Sequence, residues 1–574
     1  MATSELQHAA HDDGAGAART MCAAFQRTVA DHGDVIALRT LGDAARLTWR
    51  EYGERVRRLA GGLHSLGLRR GDTLALMLTN RPEFHLVDAA AMHLGVVPFS
   101  VYNTAAPEQI EFVVRDAGAR VAVVEDGFRH RLHTDEVIGV EALANLEARG
   151  DGTDLDFNAA WRAVRPDDVL TLIYTSGTTG DPKGVQITHR NMVFTARAYG
   201  EVIGFPTNAA VVSYLPMAHI AERNCSHYFP MLHGFTVTCL PDARQVVAAF
   251  PEVRPAWFFA VPRIFEKLKA AIEADADQPL RDSIDRGLAR LRGEDGPAPD
   301  ERVLISLRER LGLDRLRALN VGAAPTPREV IEFFHAIGLP LAELYGMSET
   351  TAIGACNPAT RIKIGTVGPP VPGVDMRLAA DGEVEVRGDC VTPGYRGRED
   401  LTREAFTADG WLRSGDIGRF DEDGYLSIVD RKKELIINAA GKNMSPALIE
   451  SELKTATPLI GSAVAIGDRR PYNVALIVLD ADAAAAFARD AGLGHRSATD
   501  LAGEPKLLAE IEAGVERANR RLSNVEQIKR FKVLAAEWPA GGDELTPTMK
   551  LKRKPIHEKY ASDIEELYVA SRSR

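Results

Sequence analysis

Cysteine is scarce in this sequence. There are five among 574 residues (Cys22, Cys225, Cys239, Cys356 and Cys390), and no two form a Cys-x-x-Cys pair. An odd number at irregular spacing excludes a disulfide framework and reads as free thiols in a reducing cytoplasm. No unbroken run of 18 apolar residues occurs, so no membrane-spanning helix is expected and only peripheral contact with a membrane stays open. The first 28 residues have neither a basic start nor an apolar core, so no secretory signal is expected. An excess of basic residues is also missing: 69 Lys and Arg against 80 Asp and Glu give a net charge of −11. Phosphate-backbone binding depends on Lys and Arg, so nucleic acid is not an expected partner. Internal repeats and low-complexity tracts are absent. Hydrophobic residues at 45% and charged residues at 26% are ordinary for a globular protein and exclude a disordered chain, a collagen or a coiled coil.

What is present is an alternation of short apolar strands and amphipathic helices over the first 350 residues. Thr48 and Glu51 have capping-box spacing, after which Tyr52, Val56, Leu59 and Leu63 recur at helical intervals up to Gly67. Strands are expected at residues 74–78, 121–124, 170–174, 211–215, 236–240, 257–261 and 341–345, with a helix near 107–118. Such a rhythm predicts an α/β fold with parallel sheets covered on both faces. After about Gly365 the turn pairs Pro372-Gly373, Asp381-Gly382, Asp409-Gly410 and Asp423-Gly424 predict a β-rich closing subdomain. Near Asp430 the texture changes again, and a smaller α+β segment follows. The expected division is a large domain over 1–429, a hinge at 430–434 and a mobile C-terminal domain over 435–574. The charged stretch 280–312 reads as a surface insertion.

The most informative segment is Tyr174-Thr-Ser-Gly-Thr-Thr-Gly-Asp-Pro-Lys-Gly-Val185. Glycines let backbone approach a ligand and turn N–H groups inward, hydroxyls add donors, and Lys183 adds a positive charge. A polyphosphate is the ligand that needs such a lining. The string is neither a Walker A motif, because Lys183 precedes Gly184 and not Ser or Thr, nor a G-x-G-x-x-G fingerprint.

Residues 175–184 resemble the phosphate loop of the adenylate-forming enzymes, the superfamily of acyl- and aryl-CoA synthetases, luciferases and peptide-synthetase adenylation domains. Further motifs follow in that family's order: Tyr345-Gly-Met-Ser-Glu-Thr350, Ser414-Gly-Asp416, Asp430-Arg-Lys-Lys433, Gly441-Lys-Asn443 and Leu545-Thr-Pro-Thr-Met-Lys550. The resemblance extends from about Thr48 to Tyr568. Leu215-Pro-Met-Ala-His-Ile-Ala-Glu-Arg223 and Trp257-Phe-Phe-Ala-Val-Pro-Arg263 are similar to the long-chain fatty acyl-CoA synthetase branch. Asn320-Val-Gly-Ala-Ala-Pro325 departs mildly from the usual Ser-Gly-Gly-Ala-Pro.

The resemblance implies a ligase that activates a fatty acid with ATP and Mg2+ to acyl-AMP and passes the acyl group to CoA, releasing AMP and pyrophosphate. It assigns catalysis to Lys550, His219 and the hinge Lys433. It assigns the nucleotide phosphates to Thr175, Ser176, Gly177, Thr178, Thr179, Gly180 and Lys183. The adenine and ribose would fall to Gly322, Ala323, Ala324, Tyr345, Gly346, Met347, Thr350, Asp416 and Arg431, the CoA side to Gly441 and Lys442, and magnesium to Glu349 with Thr175. Lys552 is a rival for the role of Lys550 within a basic run. Phe229, Trp257, Phe258 and Phe259 are candidate walls of an acyl tunnel between Tyr199 and Gly346. His130 and His133 lack partner ligands and read as surface residues.

Three alternatives remain at this level. The chain could be a medium-chain or aryl acid CoA ligase, an acyl-AMP ligase loading a carrier protein, or a nucleotide-binding regulator without catalysis. Chain length, oligomeric state and pathway are not readable from the sequence.

Overall fold

The computed structural model describes residues 18–569 apart from 176–180, 207, 440, 441, 495, 540, 547 and 548. The expected alternation is realised as α/β layers. One sheet has six strands in the order Glu136–Gly139, Val121–Val124, Thr73–Met77, Val97–Ser100, Val169–Thr175 and Lys183–Thr188; all are parallel except the last. A second sheet pairs Ile36–Thr40, Thr236–Cys239 and Ala210–Ser213 in parallel. A third runs Trp257–Ala260, Ala318–Val321 and Leu341–Tyr345 in parallel, with Ala355–Cys356 antiparallel at its edge.

Local chemistry explains the boundaries. The helix Trp49–Ser65 begins at a reciprocal cap: Glu51 N–H donates to Thr48 Oγ1 at 3.2 Å, and Thr48 N–H donates to Glu51 Oε2 at 2.7 Å. Its expected apolar face, Tyr52, Val56, Leu59 and Leu63, is buried. The helix Pro107–Ala117 stops at Gly118, which takes φ +71° and closes the last turn. Residues 280–312 are not a surface insertion. They contain the helices Gln278–Leu291 and Glu301–Leu311, whose residues Leu280, Ile284, Leu304 and Leu307 are buried in the core of the third sheet. Only the link between the two helices is exposed throughout most of its length. The charged faces dominated the composition and hid two apolar stripes at helical spacing.

From Val374 to Arg431 four antiparallel strands form the β-rich piece. The chain then turns at Lys432, Lys433 and Glu434 and enters the C-terminal part, a three-stranded sheet of Ile460–Ile466, Asn473–Leu479 and Ile528–Val533 flanked by helices. Two apolar clusters are drawn wholly from residues 436–568, while the others lie before residue 430. All five cysteines are free thiols. Among the described residues no helix is long and apolar enough to cross a membrane.

Candidate active site

A cleft of about 1790 Å³ lies where the carboxyl ends of the parallel strands meet the β-rich piece and the C-terminal part. Thr175 ends one strand at its wall, and Lys183 opens the antiparallel return strand directly opposite. Residues 176–180, which join these two strands in sequence and include the expected phosphate-binding residues Ser176, Gly177, Thr178, Thr179 and Gly180, lie outside the described residues. The hairpin is pinned from behind, since Arg396 N–H donates to Gly184 O at 2.8 Å and Gln186 N–H to Gly394 O at 3.1 Å. The Lys183 ammonium stands 5.2 Å above the Tyr395 ring. After it the helix His189–Ile203 starts at a Thr188–Asn191 capping box.

The strand Leu341–Tyr345 leads into Gly346, Met347 and Glu349, all on the cleft wall. A Cβ on Gly346 would lie 2.4 Å from the Ala352 carbonyl carbon, so this close turn requires glycine. Glu349 is 8% exposed and accepts the Tyr395 hydroxyl at 2.8 Å on Oε1. Thr350 does not line the cleft. It is buried, and its hydroxyl closes the local turn by accepting Met347 N–H at 3.0 Å. Gly322, Ala323 and Ala324 line the wall beside Glu343, and Ala323 holds φ +69°, a left-handed geometry that costs about 1 kcal/mol or more outside glycine.

Asp416 and Arg431 face each other across adjacent antiparallel strands. Arg431 Nε forms an ion pair with Asp416 Oδ1 at 2.8 Å, and Tyr345 donates its hydroxyl to Oδ2 at 2.7 Å. Burial raises the Asp416 carboxyl above its ordinary value, against the opposing pull of Arg431, Tyr345 and Lys550. Burial and the Asp416 charge together push the Tyr345 hydroxyl well up, so it stays a donor.

Lys550 enters the cleft from the C-terminal part on a tight turn. Lys550 N–H donates to Thr546 Oγ1 at 3.0 Å, Thr546 N–H donates to Lys550 O at 2.8 Å, and Met549 adopts φ +63°. Backbone strain of this kind gathers where a side chain must be aimed. Lys550 is open to the cleft space, yet atoms of both parts of the chain crowd it. That desolvation, with Arg431 adding repulsion, lowers its ammonium from the ordinary 10.5, while Asp416, Glu434 and Glu349 pull the other way. The rival Lys552 binds Gly542 O at 2.8 Å and does not line the cleft. Lys433 lines the cleft at the turn. Lys442 is exposed away from it, and Gly441 lies outside the described residues.

His219 caps the short helix Ile220–Glu222, with Ala221 N–H donating to its Nδ1 at 3.2 Å. Nδ1 is therefore an acceptor, and the ring proton sits on Nε2. Burial first and the Lys550 charge second lower its pKa to about 4, so the ring is neutral at pH 7. Below it the cleft turns apolar, lined by Tyr199, Cys225, Phe229, Trp257 and Phe259. Phe258 is not part of this lining. A strand points successive side chains to opposite faces, and Phe258 packs into the other core with Phe250 and Tyr214. His130 and His133 are exposed, as expected.

Several residues of the site were not anticipated. Tyr395 orients Glu349 across 46 residues of sequence. Glu343 lines the wall with its carboxyl raised by burial to about 7. Glu222 accepts Tyr214 N–H at 3.1 Å and Leu215 N–H at 3.2 Å, tying the His219 segment to its strand. Arg553 bridges Glu434 beside the turn at 3.1 Å and Glu450 at 2.6 Å. Only Glu222 and Arg553 had any signal, as charges inside otherwise informative strings; their partners are remote in sequence.

The AMP-binding enzyme family matches residues 25–396, and the AMP-binding enzyme C-terminal domain matches residues 433–572. The chain is 47% identical over 461 residues to fadD11 of Mycobacterium tuberculosis, whose assigned name is that of a fatty-acid–CoA ligase, covering 77% of this chain and 81% of that protein. It is 37% identical over 558 residues to the long-chain-fatty-acid–CoA ligase FadD15 of the same species, covering 91% and 92%. Among solved structures, an anthranilate CoA ligase in complex with anthranoyl-AMP shares the fold at TM-score 0.73 and 19% identity, covering 94% of this chain and 97% of that one.

Proposed function

The chain belongs to the AMP-binding enzyme family, and from that premise we propose that it is an AMP-forming fatty-acid–CoA ligase acting on long-chain acids. The observation that carries this reading is a convergence. Lys550, Arg431, Asp416, Glu349 and His219, contributed by both parts of the chain, line one cleft that continues into an aromatic pocket.

In the first step a carboxylate oxygen attacks the α-phosphorus of ATP, and pyrophosphate leaves with the bridging electron pair. Two anions must approach, so the site must supply positive charge and alignment. Lys550 would lie between the carboxylate and the α-phosphate, stabilising charge as it develops. Thr175 and Lys183, with residues 176–180 between them, would hold the β- and γ-phosphates. Asp416 would exchange its Tyr345 and Arg431 partners in part for the ribose hydroxyls. Gly322, Ala323 and Ala324 would let adenine lie against backbone, with Tyr345 offering a flat face. His219, protonated on Nε2, would donate to the acid's carboxylate and place it at the mouth of the apolar pocket.

Glu349 fits a magnesium ion, because it presents a hard oxygen donor, oriented by Tyr395, in the same cleft that Thr175 and Lys183 line. When bound, magnesium neutralises phosphate charge. In the second step the CoA sulfur attacks the acyl carbon, the acyl–oxygen bond breaks, AMP leaves and the thiol proton is released. Lys442, which does not line the cleft here, and Gly441 would reach it after the C-terminal domain turns about Lys433, with boundaries at 430–434.

The test is ATP–pyrophosphate exchange with a series of aliphatic and aromatic acids, with AMP release measured with and without CoA. Exchange with long-chain acids and CoA-dependent AMP release are expected. Exchange confined to aromatic acids, or AMP release indifferent to CoA, would assign a different acid or acceptor. No exchange with any acid would remove the reading.

A further inference from the structure

At the outer rim of the cleft two helix N-termini meet. The helix Pro262–Asp275 starts directly after the strand Trp257–Ala260, which carries two walls of the acyl pocket. The helix Ala481–Asp490 starts at the end of Asn473–Leu479, the central strand of the C-terminal sheet. Asp480 caps that second helix, accepting Ala483 N–H at 3.0 Å on Oδ1. Its other oxygen, Oδ2, is bound by the guanidinium of Arg263, which lies 217 residues earlier in the chain. One turn further along, Lys267 reaches Asp482 at 3.4 Å.

These two contacts differ in weight. The side chains of Lys267 and Asp482 are 56% and 88% exposed, so water and salt screen them. Those of Arg263 and Asp480 are 36% and 13% exposed. Arg263 also sits in the first turn of its own helix, where a cation is disfavoured by the helix dipole, and the Asp480 carboxylate offsets this. A third cross-contact, Arg521 to Glu329 at 3.9 Å, is loose, because Arg521 is held at 2.5 Å by Glu452 within its own domain. Arg263 and Lys267 line the same cleft into which Lys550 projects.

We propose that Arg263 and Asp480 form a state-specific latch that docks the C-terminal domain with Lys550 in the cleft, making both of them positioning residues for the first half-reaction. The inference rests on the acid-activation reading above. Asp480 travels with the C-terminal domain and Arg263 stays with the acyl-binding domain. The pair is made only while Lys550 is engaged and must break before the 441–442 loop can replace it. An interaction present in one state shifts the balance toward that state by its own strength.

The experiment compares wild type, Arg263→Ala, Asp480→Asn and the double variant in each half-reaction. Asn preserves the helix cap while removing the charge. Each single change should slow ATP–pyrophosphate exchange roughly tenfold, the scale of one hydrogen bond to a charged group. The double variant should be no slower, and Arg263→Lys should recover part of the loss. Thioester formation from supplied acyl-AMP and CoA should be unchanged or faster. Tryptic cleavage at Lys432 and Lys433 without substrates should quicken in both single variants. Equal losses in both half-reactions, multiplying single effects, or unaltered cleavage would overturn the latch. Should wild type itself exchange nothing, the acid-activation reading fails, while the cleavage comparison still decides whether the two residues hold the domains together.

Discussion

Tyr395 donates its hydroxyl to Glu349 across 2.8 Å, and the same ring lies 5.2 Å beneath the ammonium of Lys183. One aromatic side chain therefore orients the carboxylate proposed for magnesium and packs against the cation proposed for phosphate. Tyr395→Phe keeps the ring and removes the hydroxyl. A hydrogen bond to a charged group contributes about 1.5–3 kcal/mol, so the magnesium concentration that half-saturates exchange should rise roughly tenfold or more. The apparent affinity for the acid should stay unchanged. A magnesium titration of both proteins checks this, and coincident curves would show that Tyr395 does not orient Glu349.

Lys550→Ala should slow acyl-AMP formation by roughly 100–1000-fold, the usual cost of removing one preorganised stabiliser of transition-state charge. Thioester formation from supplied acyl-AMP should survive. Burial and Arg431 lower the ammonium from 10.5 in the free protein, so its charge is lost at lower pH than an ordinary lysine loses its own. The kcat/KM of the first half-reaction should accordingly fall on the alkaline side before pH 10.5 is reached. If both half-reactions dropped alike, the division of labour between Lys550 and the 441–442 loop would be wrong.

The scaffold was largely readable because each strand is a short apolar run and each helix shows its own period. Leu341–Tyr345 and Val121–Val124 fall where the pattern placed them. The strand Val97–Ser100 was missed because Pro98 argues against a central strand, and here the proline carbonyl accepts Thr171 Oγ1 at 2.7 Å. The site was readable in its motifs and opaque in its supports. Glu349 and Asp416 stand in recognisable strings, whereas Tyr395 meets Glu349, and Arg553 meets Glu434, only through the tertiary fold. Phe258 departs from its neighbours for a local reason, since strand alternation sends it to the opposite face.

His189 accepts Met21 N–H at 3.1 Å on Nδ1, fixing the first helix, Met21–Asp31, to the body. Burial lowers its pKa to about 3. The ring stays neutral in the folded chain while the unfolded chain protonates near 6.5, so its stabilising contribution is complete above 6.5 and declines as pH falls toward 3. At pH 5 the loss is about 2 kcal/mol. Glu222 and Glu343, each raised by burial to about 7, act in the opposite sense between their ordinary value of 4.5 and pH 7. Comparing His189→Gln with wild type isolates the histidine. The drop in Tm between pH 7.5 and pH 5 should be smaller in the variant, and an equal drop would refute the assignment.

A cluster of three rings lines the apolar part of the cleft. Phe229 stacks on Trp257 with centroids 5.8 Å apart and planes inclined by 13°, and Tyr199 lies 5.3 Å from Phe229. Trp257 is fixed from behind, because its Nε1–H donates to Asn320 Oδ1 at 2.9 Å. If these rings form the floor of the acyl pocket, a floor held this way resists receding for a longer chain. Each methylene buried above it contributes about 0.8 kcal/mol, roughly fourfold in kcat/KM, until the acyl terminus meets the rings. Replacing Phe229 by Ala would leave a large cavity and cost about 3–5 kcal/mol of stability, so Phe229→Leu is the better probe. It removes the stacked ring and keeps an apolar side chain. In a homologous series of saturated acids, the length at which kcat/KM stops rising should move to longer chains in Phe229→Leu. The rise per methylene before that length should match wild type. A break point that stays in place would mean that the acyl chain leaves the cleft by another route and that the stacked rings are ordinary core.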